Sequence, residues 1–340
     1  MSGVQTVTVG ADEGDQRLDR WIKRRFPQVT QGMVEKMCRK GELRVDGGRV
    51  KSSTRVETGQ TVRIPPLPEG APPPVEKLRV SPADAKMIRG TVLYKDDHIL
   101  AIDKPFGLAT QGGSGVTRHV DGLAEALRFD AEEKPRLVHR LDRDTTGVLL
   151  LARTRTMAKA LTEALKHRET RKIYWAAVAG LPTPRLGLIR YGLVKSGGKG
   201  DEKMHAVLPQ DVDSTPGAKR ATTDYRVLEH LGSRASWVAM VPVTGRTHQL
   251  RAHMAEIGHP ILGDGKYGGS SQENLGDGWG AGAGGEIGRR LHLHARTLIF
   301  QHPVTRAEVH ITAPLPDHMA HTWDFVGWDS ASVPEDPFRE

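Results

Sequence analysis

The 340-residue chain predicts an α+β protein, and three observations carry that reading. Apolar and alternating runs that read as strands recur through residues 81–325, with too few helical segments between them for a regular parallel, doubly wound sheet. Six prolines fall within residues 65–74, which forbids helix and central strand there and divides the chain with a stiff extended linker. Ahead of that linker, residues 16–63 carry thirteen Lys and Arg against five Asp and Glu, while the remainder carries thirty-six of each sign. The whole net charge of +8 is therefore concentrated in one N-terminal module. The expected organisation is a small αβ domain at 1–64, a linker at 65–80, a larger α+β domain at 81–325 and a tail at 326–340.

The elements follow in order. Leu18, Trp21, Ile22 and Phe26 recur at helical spacing, and Thr30 can cap a second helix carrying Met33, Val34 and Met37. Gly41 ends that helix. Residues 43–45 read as a strand turning at Asp46-Gly47-Gly48 into Arg49-Val50, with residues 60–64 as a closing strand. Past the linker, residues 99–105 read as a strand running into a turn and residues 148–152 as a buried strand. Thr156 can cap a helix running to Arg168, with Met157, Leu161, Ala164 and Leu165 inward. Residues 173–178 and 236–240 add further strands, whereas 194–220 and the glycine-rich 263–287 read as loops or insertions.

Composition excludes several classes. The chain opens without an apolar signal-like region and holds no run long enough to cross a bilayer, so a soluble, cytoplasmic protein is expected. Its one cysteine, Cys38, rules out an intramolecular disulfide and a cysteine-rich zinc site, and it falls on a helix with Val34 and Met37 as core. Among fifteen histidines, His248 and His253 are five apart on a helical stretch and share no face. His292 and His294 suit a strand core, and no HExxH occurs, so no metal and no cofactor are expected. The basic module has the electrostatic footprint of a phosphate-binding domain, or is a solvated basic face.

The most informative segment is His139-Arg140-Leu141-Asp142-Arg143-Asp144-Thr145-Thr146-Gly147, which packs charge, a turn and a glycine directly before the apolar run from Val148 to Ala152. On charge pattern alone, an Asp between two arginines reads as a salt-bridged surface loop. The segment resembles the HRLDxxTSG signature of the RluA family of pseudouridine synthases, with Thr146 standing where serine is usual. Four further segments resemble the same family in order. They are Asp103-Lys104-Pro105-Phe106-Gly107 with Gly112-Gly113-Ser114-Gly115, Lys172-Ile173-Tyr174-Trp175-Ala176, Gly245-Arg246-Thr247-His248-Gln249-Leu250-Arg251-Ala252-His253 with the stretch from Gly258 to Gly268, and the closing Leu293-His294-Ala295 and Phe300-Gln301-His302-Pro303. From Arg17-Leu18-Asp19 through Arg39-Lys40-Gly41-Glu42 to Val62-Arg63-Ile64, the N-terminal module resembles the S4 RNA-binding fold.

The resemblance implies a central mixed, largely antiparallel sheet with a catalytic cleft, and isomerisation of uridine to pseudouridine in RNA. It assigns the reactive carboxylate to Asp142, the ring that stacks on a flipped-out uracil to Tyr174, and an ion pair with Asp142 to Arg246. Arg140 can fill the space left by the flipped base or bind adjacent phosphates, Lys172 near Tyr174 is a further expected RNA-binding cation, and Arg17, Arg39, Lys40 and Arg44 are the expected RNA-binding cations of the S4-like module. The resemblance extends to enzymes acting on bacterial 23S ribosomal RNA or a large-subunit precursor. The alternatives are another rRNA or tRNA site, or a non-catalytic RNA-binding or ribosome-assembly factor on the same scaffold.

Overall fold

The computed structural model describes residues 3–68, 80–113, 115–167, 169–195, 203–268 and 287–339. The chain divides into two compact units, Met1–Arg79 and Val80–Glu340. Most of the proline-rich linker expected at 65–80 lies outside the described residues, as does the glycine-rich stretch from 269 to 286.

In the first unit, strand β1 (Gln5–Thr8) precedes helices α1 (Leu18–Arg25) and α2 (Gln31–Lys40), followed by β2 (Arg44–Val45), β3 (Gly48–Arg49) and β4 (Thr61–Ile64). The capping residues act as their chemistry requires. Thr30 Oγ1 accepts from the Met33 N–H at 3.4 Å, and Gly41 ends α2 in the left-handed region at φ +71°. Leu18, Trp21, Ile22, Val34, Met37 and Cys38 on the helices meet Leu43, Val62 and Ile64 in one core. Full burial of such a side chain stabilises by about 1.5–3 kcal/mol. Strand β1 was not expected, because its single inward valine makes no periodic signal; it forms by pairing antiparallel with β4 from Gln5↔Ile64 to Thr8↔Thr61.

The second unit contains helix α3 (Pro82–Arg89), β5 (Val92–Lys95), β6 (Ile99–Lys104), β7 (Thr146–Ala152), α4 (Arg155–Ala164), β8 (Arg171–Ala179) and β9 (Leu186–Lys195). It continues with β10 (Met204–Val207), β11 (Lys219–Leu231), β12 (Ala235–Pro242), α5 (Gln249–Glu256), β13 (Leu293–Gln301), β14 (Glu308–Thr312) and α6 (Asp317–Val326). An eleven-stranded sheet runs in the order β10-β9-β11-β12-β8-β13-β7-β6-β5 among the described residues, with β14 on β13 and the short strand Arg136–Leu137 on β7. Among the described strands of this sheet, β7 and β13 alone pair parallel, so the sheet is mixed and largely antiparallel. Strands β6 and β7 are apolar from Ile99 to Ile102 and from Val148 to Ala152 because both faces are covered there. Leu100, Ile102, Leu149 and Leu151 pack on one side, and Ile99, Ala101, Val148 and Leu150 pack with Met157 and Leu161 of α4 on the other.

Three local readings change. The cap of α4 is Thr154, which accepts from the Met157 N–H at 3.2 Å, rather than Thr156; the helix begins as soon as β7 has left the sheet. The stretch 194–220 is not wholly a loop, since β10 pairs with β9 from Gly192↔Val207 to Lys195↔Met204. Residues beyond 326 pack instead of trailing: Trp328, Val333 and Phe338 join Trp175, Trp237 and Trp323, and Arg171 pairs with Asp336 at 3.1 Å.

The strand register decides where the site forms. Gly147 is opposite Ala295 across the parallel pair, Ala295 opposite Tyr174, and Tyr174 opposite Met240, so the first residues of β7 and the middle of β8 share one row of the sheet. Gly147 has φ +104°, and a Cβ there would stand 2.2 Å from the Ala295 carbonyl oxygen. No helix among the described residues is long and apolar enough to cross a membrane. Gly147→Ala combines a forbidden contact with an unfavourable dihedral and is expected to destabilise the protein by about 1–3 kcal/mol or more, read as a lowered denaturant midpoint at unchanged m-value.

Candidate active site

Asp142 lies on the turn that leads into β7, and the turn is pinned from several sides. The Thr145 N–H closes it onto the Asp142 carbonyl at 3.2 Å. Thr110 Oγ1 donates to the Leu141 carbonyl at 2.6 Å and accepts from the Leu141 N–H at 3.2 Å. From beneath, the fully buried Lys104 ammonium donates to the carbonyls of Pro105, Leu108 and Arg143 at 2.8–2.9 Å. Burial pushes the Lys104 pKa down to about 7 against the opposing pull of Asp144, Asp142 and Asp103. At the start of β7, Thr146 Oγ1 meets His294 Nδ1 at 2.8 Å, while His139 Nε2 accepts from the Leu150 N–H at 2.9 Å, a structural role. Threonine thus supplies a hydroxyl at position 146, the group serine would bring.

The carboxylate faces a cleft of about 650 Å³, whose lining includes Arg140, Asp142, Lys172, Tyr174, Arg246 and Arg251. The structure therefore gathers Asp142, Tyr174, Arg140, Lys172 and Arg246 around one space. The pairing of Arg246 with Asp142 is not what forms. Arg246 Nε donates to the Arg220 carbonyl at 3.2 Å, and Arg251 Nη1 lies 3.6 Å from Asp142 Oδ2. The reason is where the helix begins: Arg246 precedes α5 on an exposed turn, whereas Arg251, inside it, points into the protein and is almost fully buried. Asp264 grips that guanidinium with two hydrogen bonds of 2.7 Å. Burial works to lower the Arg251 pKa, but the hydrogen bonds and charge of Asp264, with the charge of Asp142, raise it overall. A permanent cation is thus held beside Asp142.

Tyr174, on β8, is partly buried, and burial first and the Asp142 charge second raise its phenol pKa, so the ring is neutral. Lys172 Nζ donates to the Leu165 carbonyl at 2.8 Å, and burial lowers its pKa. Arg140 is exposed at the rim. In the first unit, Arg39, Lys40 and Arg44 are exposed, while Arg17 is bidentate to Asp19 at 2.5 and 3.1 Å and so is tied to the protein. Sequence reasoning missed Lys104, Thr110, Arg251 and Asp264 as site residues. The available signal for Lys104 was a lysine ending a strand whose first four residues are apolar. Arg251 and Asp264 carried only the signal of charge within segments already singled out.

The chain, with a turn at the start of a central strand presenting a carboxylate beside a clamped arginine and a neutral aromatic ring, and a basic αβ module ahead of it, matches known models in two places. The RNA pseudouridylate synthase model matches residues 98–256, and the S4 domain model matches residues 16–62. The chain belongs to the RNA pseudouridylate synthase family, enzymes that isomerise uridine to pseudouridine in RNA, and it carries an S4 domain ahead of the catalytic unit. Among its relatives is the Ribosomal large subunit pseudouridine synthase C of Yersinia pestis, 36% identical over 320 residues that cover 94% of each chain. The protein of the same name from Escherichia coli strain K12 is 36% identical over 316 residues, covering 92% of this chain and 94% of that one. The solved structure of Human RNA Pseudouridylate Synthase Domain Containing 4 superposes with a TM-score of 0.55 at 31% identity, covering 72% of this chain and 95% of that chain.

Two outcomes follow from the buried groups. Arg251→Met leaves the Asp264 carboxylate buried without its cation and is expected to cost about 3–5 kcal/mol, measured by chemical denaturation. The second concerns pH. Burial lowers His294 to about 3 and His292 and His253 to about 4, so each stays neutral in the folded state. The unfolded chain takes up protons below about 6.5 while the folded chain does not, so stability falls with falling pH from about 6.5 to about 4. Each histidine contributes a slope of about 1.4 kcal/mol per pH unit in that window. Denaturation midpoints at pH 7.5, 6 and 5 read this directly, and a flat profile would contradict it.

Proposed function

We propose that the protein converts uridines of large-subunit ribosomal RNA, the bacterial 23S rRNA or its precursor, to pseudouridine in the cytoplasm, with Asp142 as the catalytic carboxylate. The observation that carries this is the Asp142–Arg251–Asp264 arrangement at the mouth of a cleft lined by Tyr174. The isomerisation breaks the N1–C1′ bond, forms a C5–C1′ bond, removes the C5 proton and returns one to the ring nitrogen. Atoms and electrons balance within the nucleotide, so the reaction calls for no cofactor.

A uracil inside folded RNA must be turned out before a side chain can reach it. Tyr174 then stacks on its face, and Arg140 at the rim takes the vacated space or the adjacent phosphates. Asp142 acts as a nucleophile on the ribose or uracil ring, or as a base at the sugar. Arg251 takes the electrostatic role assigned from sequence to Arg246, and Lys172 lends positive charge to the cleft wall. Arg39, Lys40 and Arg44 bring phosphates to the S4 domain, with Arg17, bidentate to Asp19, as a further cation. The relatives named for the large ribosomal subunit, aligned over more than nine-tenths of this chain, support that substrate.

Incubation with a 23S transcript and mapping of product by chemical probing or mass spectrometry is expected to yield pseudouridine at specific sites; product on tRNA alone would overturn the substrate assignment. Asp142→Asn is expected to abolish turnover with RNA affinity nearly intact. Replacing Arg39, Lys40 and Arg44 by alanine should weaken RNA binding and flatten the plot of log K against log salt by about 0.7–0.9 for each phosphate that is no longer neutralised.

A further inference from the structure

His248 has no part in the roles assigned above, yet its placement is unusual. It precedes α5 with φ +51° and ψ 22°, a left-handed conformation that a non-glycine residue holds only when its surroundings enforce it. Its ring is buried, with Nε2 3.8 Å from Asp142 Oδ2 and Nδ1 3.1 Å from the Tyr267 hydroxyl. The rings of His248 and Tyr267 meet edge to face at 5.8 Å. Tyr267 is itself fixed: its N–H donates to Asp264 Oδ1 at 3.2 Å, and its ring lies over the Arg251 guanidinium at 5.2 Å. Its oxygen accepts from the Met204 N–H at 2.8 Å.

These contacts set proton positions. A phenol has one proton to donate, and with the Met204 N–H filling an acceptor position of the Tyr267 oxygen, His248 Nδ1 is the acceptor within reach of that proton. Burial, the first of several influences, raises the Tyr267 pKa, so the hydroxyl keeps its proton. The imidazole then carries its own proton on Nε2, the nitrogen that faces the carboxylate. The closest approaches of both near neighbours to the carboxylate, from His248 Nε2 and Arg251 Nη1, fall on Oδ2. The charged and titratable groups around His248 are Asp142, Arg251, Lys266, Asp264 and Tyr267, and burial, the largest influence, lowers its pKa.

We infer that Tyr267 and His248 are positioning residues for the reaction: the Tyr267 hydroxyl locks His248 as the Nε2–H tautomer, and His248 with Arg251 restrains Asp142 by Oδ2 so that Oδ1 is the oxygen presented to the nucleotide. The inference rests on the reading of Asp142 as the catalytic carboxylate. The neutral imidazole supplies directional restraint and Arg251 supplies charge. Separations of 3.6 and 3.8 Å exceed hydrogen-bond length, as catalytic contacts often do before substrate binds, and they shorten when the nucleotide fills the cleft.

The test uses the full chain and a 23S transcript under single-turnover conditions. Tyr267→Phe and His248→Asn, the latter chosen because asparagine tolerates the left-handed backbone, are expected to lower the rate constant by roughly 10- to 100-fold, with RNA affinity within about twofold of wild type. His248→Gln, whose amide N–H can reach towards Asp142, should recover part of that loss. Nitrogen-15 spectra of the histidine side chains, with His248 assigned by its absence in His248→Asn, should show the Nε2–H tautomer in wild type and a tautomer mixture in Tyr267→Phe. An Nδ1–H tautomer in wild type overturns the inference, as do unchanged rates in Tyr267→Phe and His248→Asn, or losses confined to RNA affinity. Asp142→Asn, run alongside, separates the two levels. If that variant turns over normally, the reading of Asp142 fails and the relay with it. If it is inactive while Tyr267→Phe and His248→Asn react at the wild-type rate, only the relay fails.

Discussion

The buried pair of Arg251 and Asp264 is the interaction on which the candidate site depends. Two hydrogen bonds of 2.7 Å place a permanent cation where burial alone would exclude one, and Asp264 also accepts from the backbone of Lys266 and Tyr267. One carboxylate therefore orders the guanidinium beside Asp142 and the turn that carries Tyr267. Such pairs contribute little net stability compared with apolar side chains of the same volume, and their value lies in geometry: removing either partner leaves the other charge stranded. The chain retains an expensive arrangement at the point where a carboxylate has to be held in one orientation.

The sheet supplies the complementary constraint. The parallel step between β7 and β13 is allowed by a glycine whose backbone approaches Ala295 closer than any side chain would permit, and it brings the Asp142 turn level with Tyr174 two strands away. Lys104 and Thr110 then hold the turn through its own carbonyls and N–H groups, so its shape rests on buried donors and not on the exposed arginines flanking Asp142. Arg140 is left exposed to solvent, and Arg143, though near Asp144 at 3.6 Å, is largely exposed as well. A loop that looked salt-bridged by its charges is in fact fixed from beneath.

The two units divide the work along the lines of their charge. Exposed cations on and beside α2 suit phosphate recognition as proposed, which is long-ranged and tolerant of position. The cleft relies on a few groups held in place by burial and by hydrogen bonds, as an orientation-dependent reaction demands.

By itself the sequence determined the α+β class, the separate basic module, the helix caps at Thr30 and Gly41, the buried strand after Asp142, and the gathering of Asp142, Tyr174, Arg140 and Lys172 at one place. Those features are legible because they depend on local chemistry: periodicity, capping oxygens, prolines, and motifs read as contiguous strings. What only the tertiary structure decided is which arginine meets Asp142, what holds its turn, and where Tyr267 and His248 point. Arg246 and Arg251 share one segment, and the choice between them turns on the residue at which α5 starts and on Asp264, thirteen residues further along. The N-terminal strand and the packed C-terminal residues escaped for the same reason: each is defined by a partner distant in sequence, and pairing of that kind leaves no periodic trace in either segment alone.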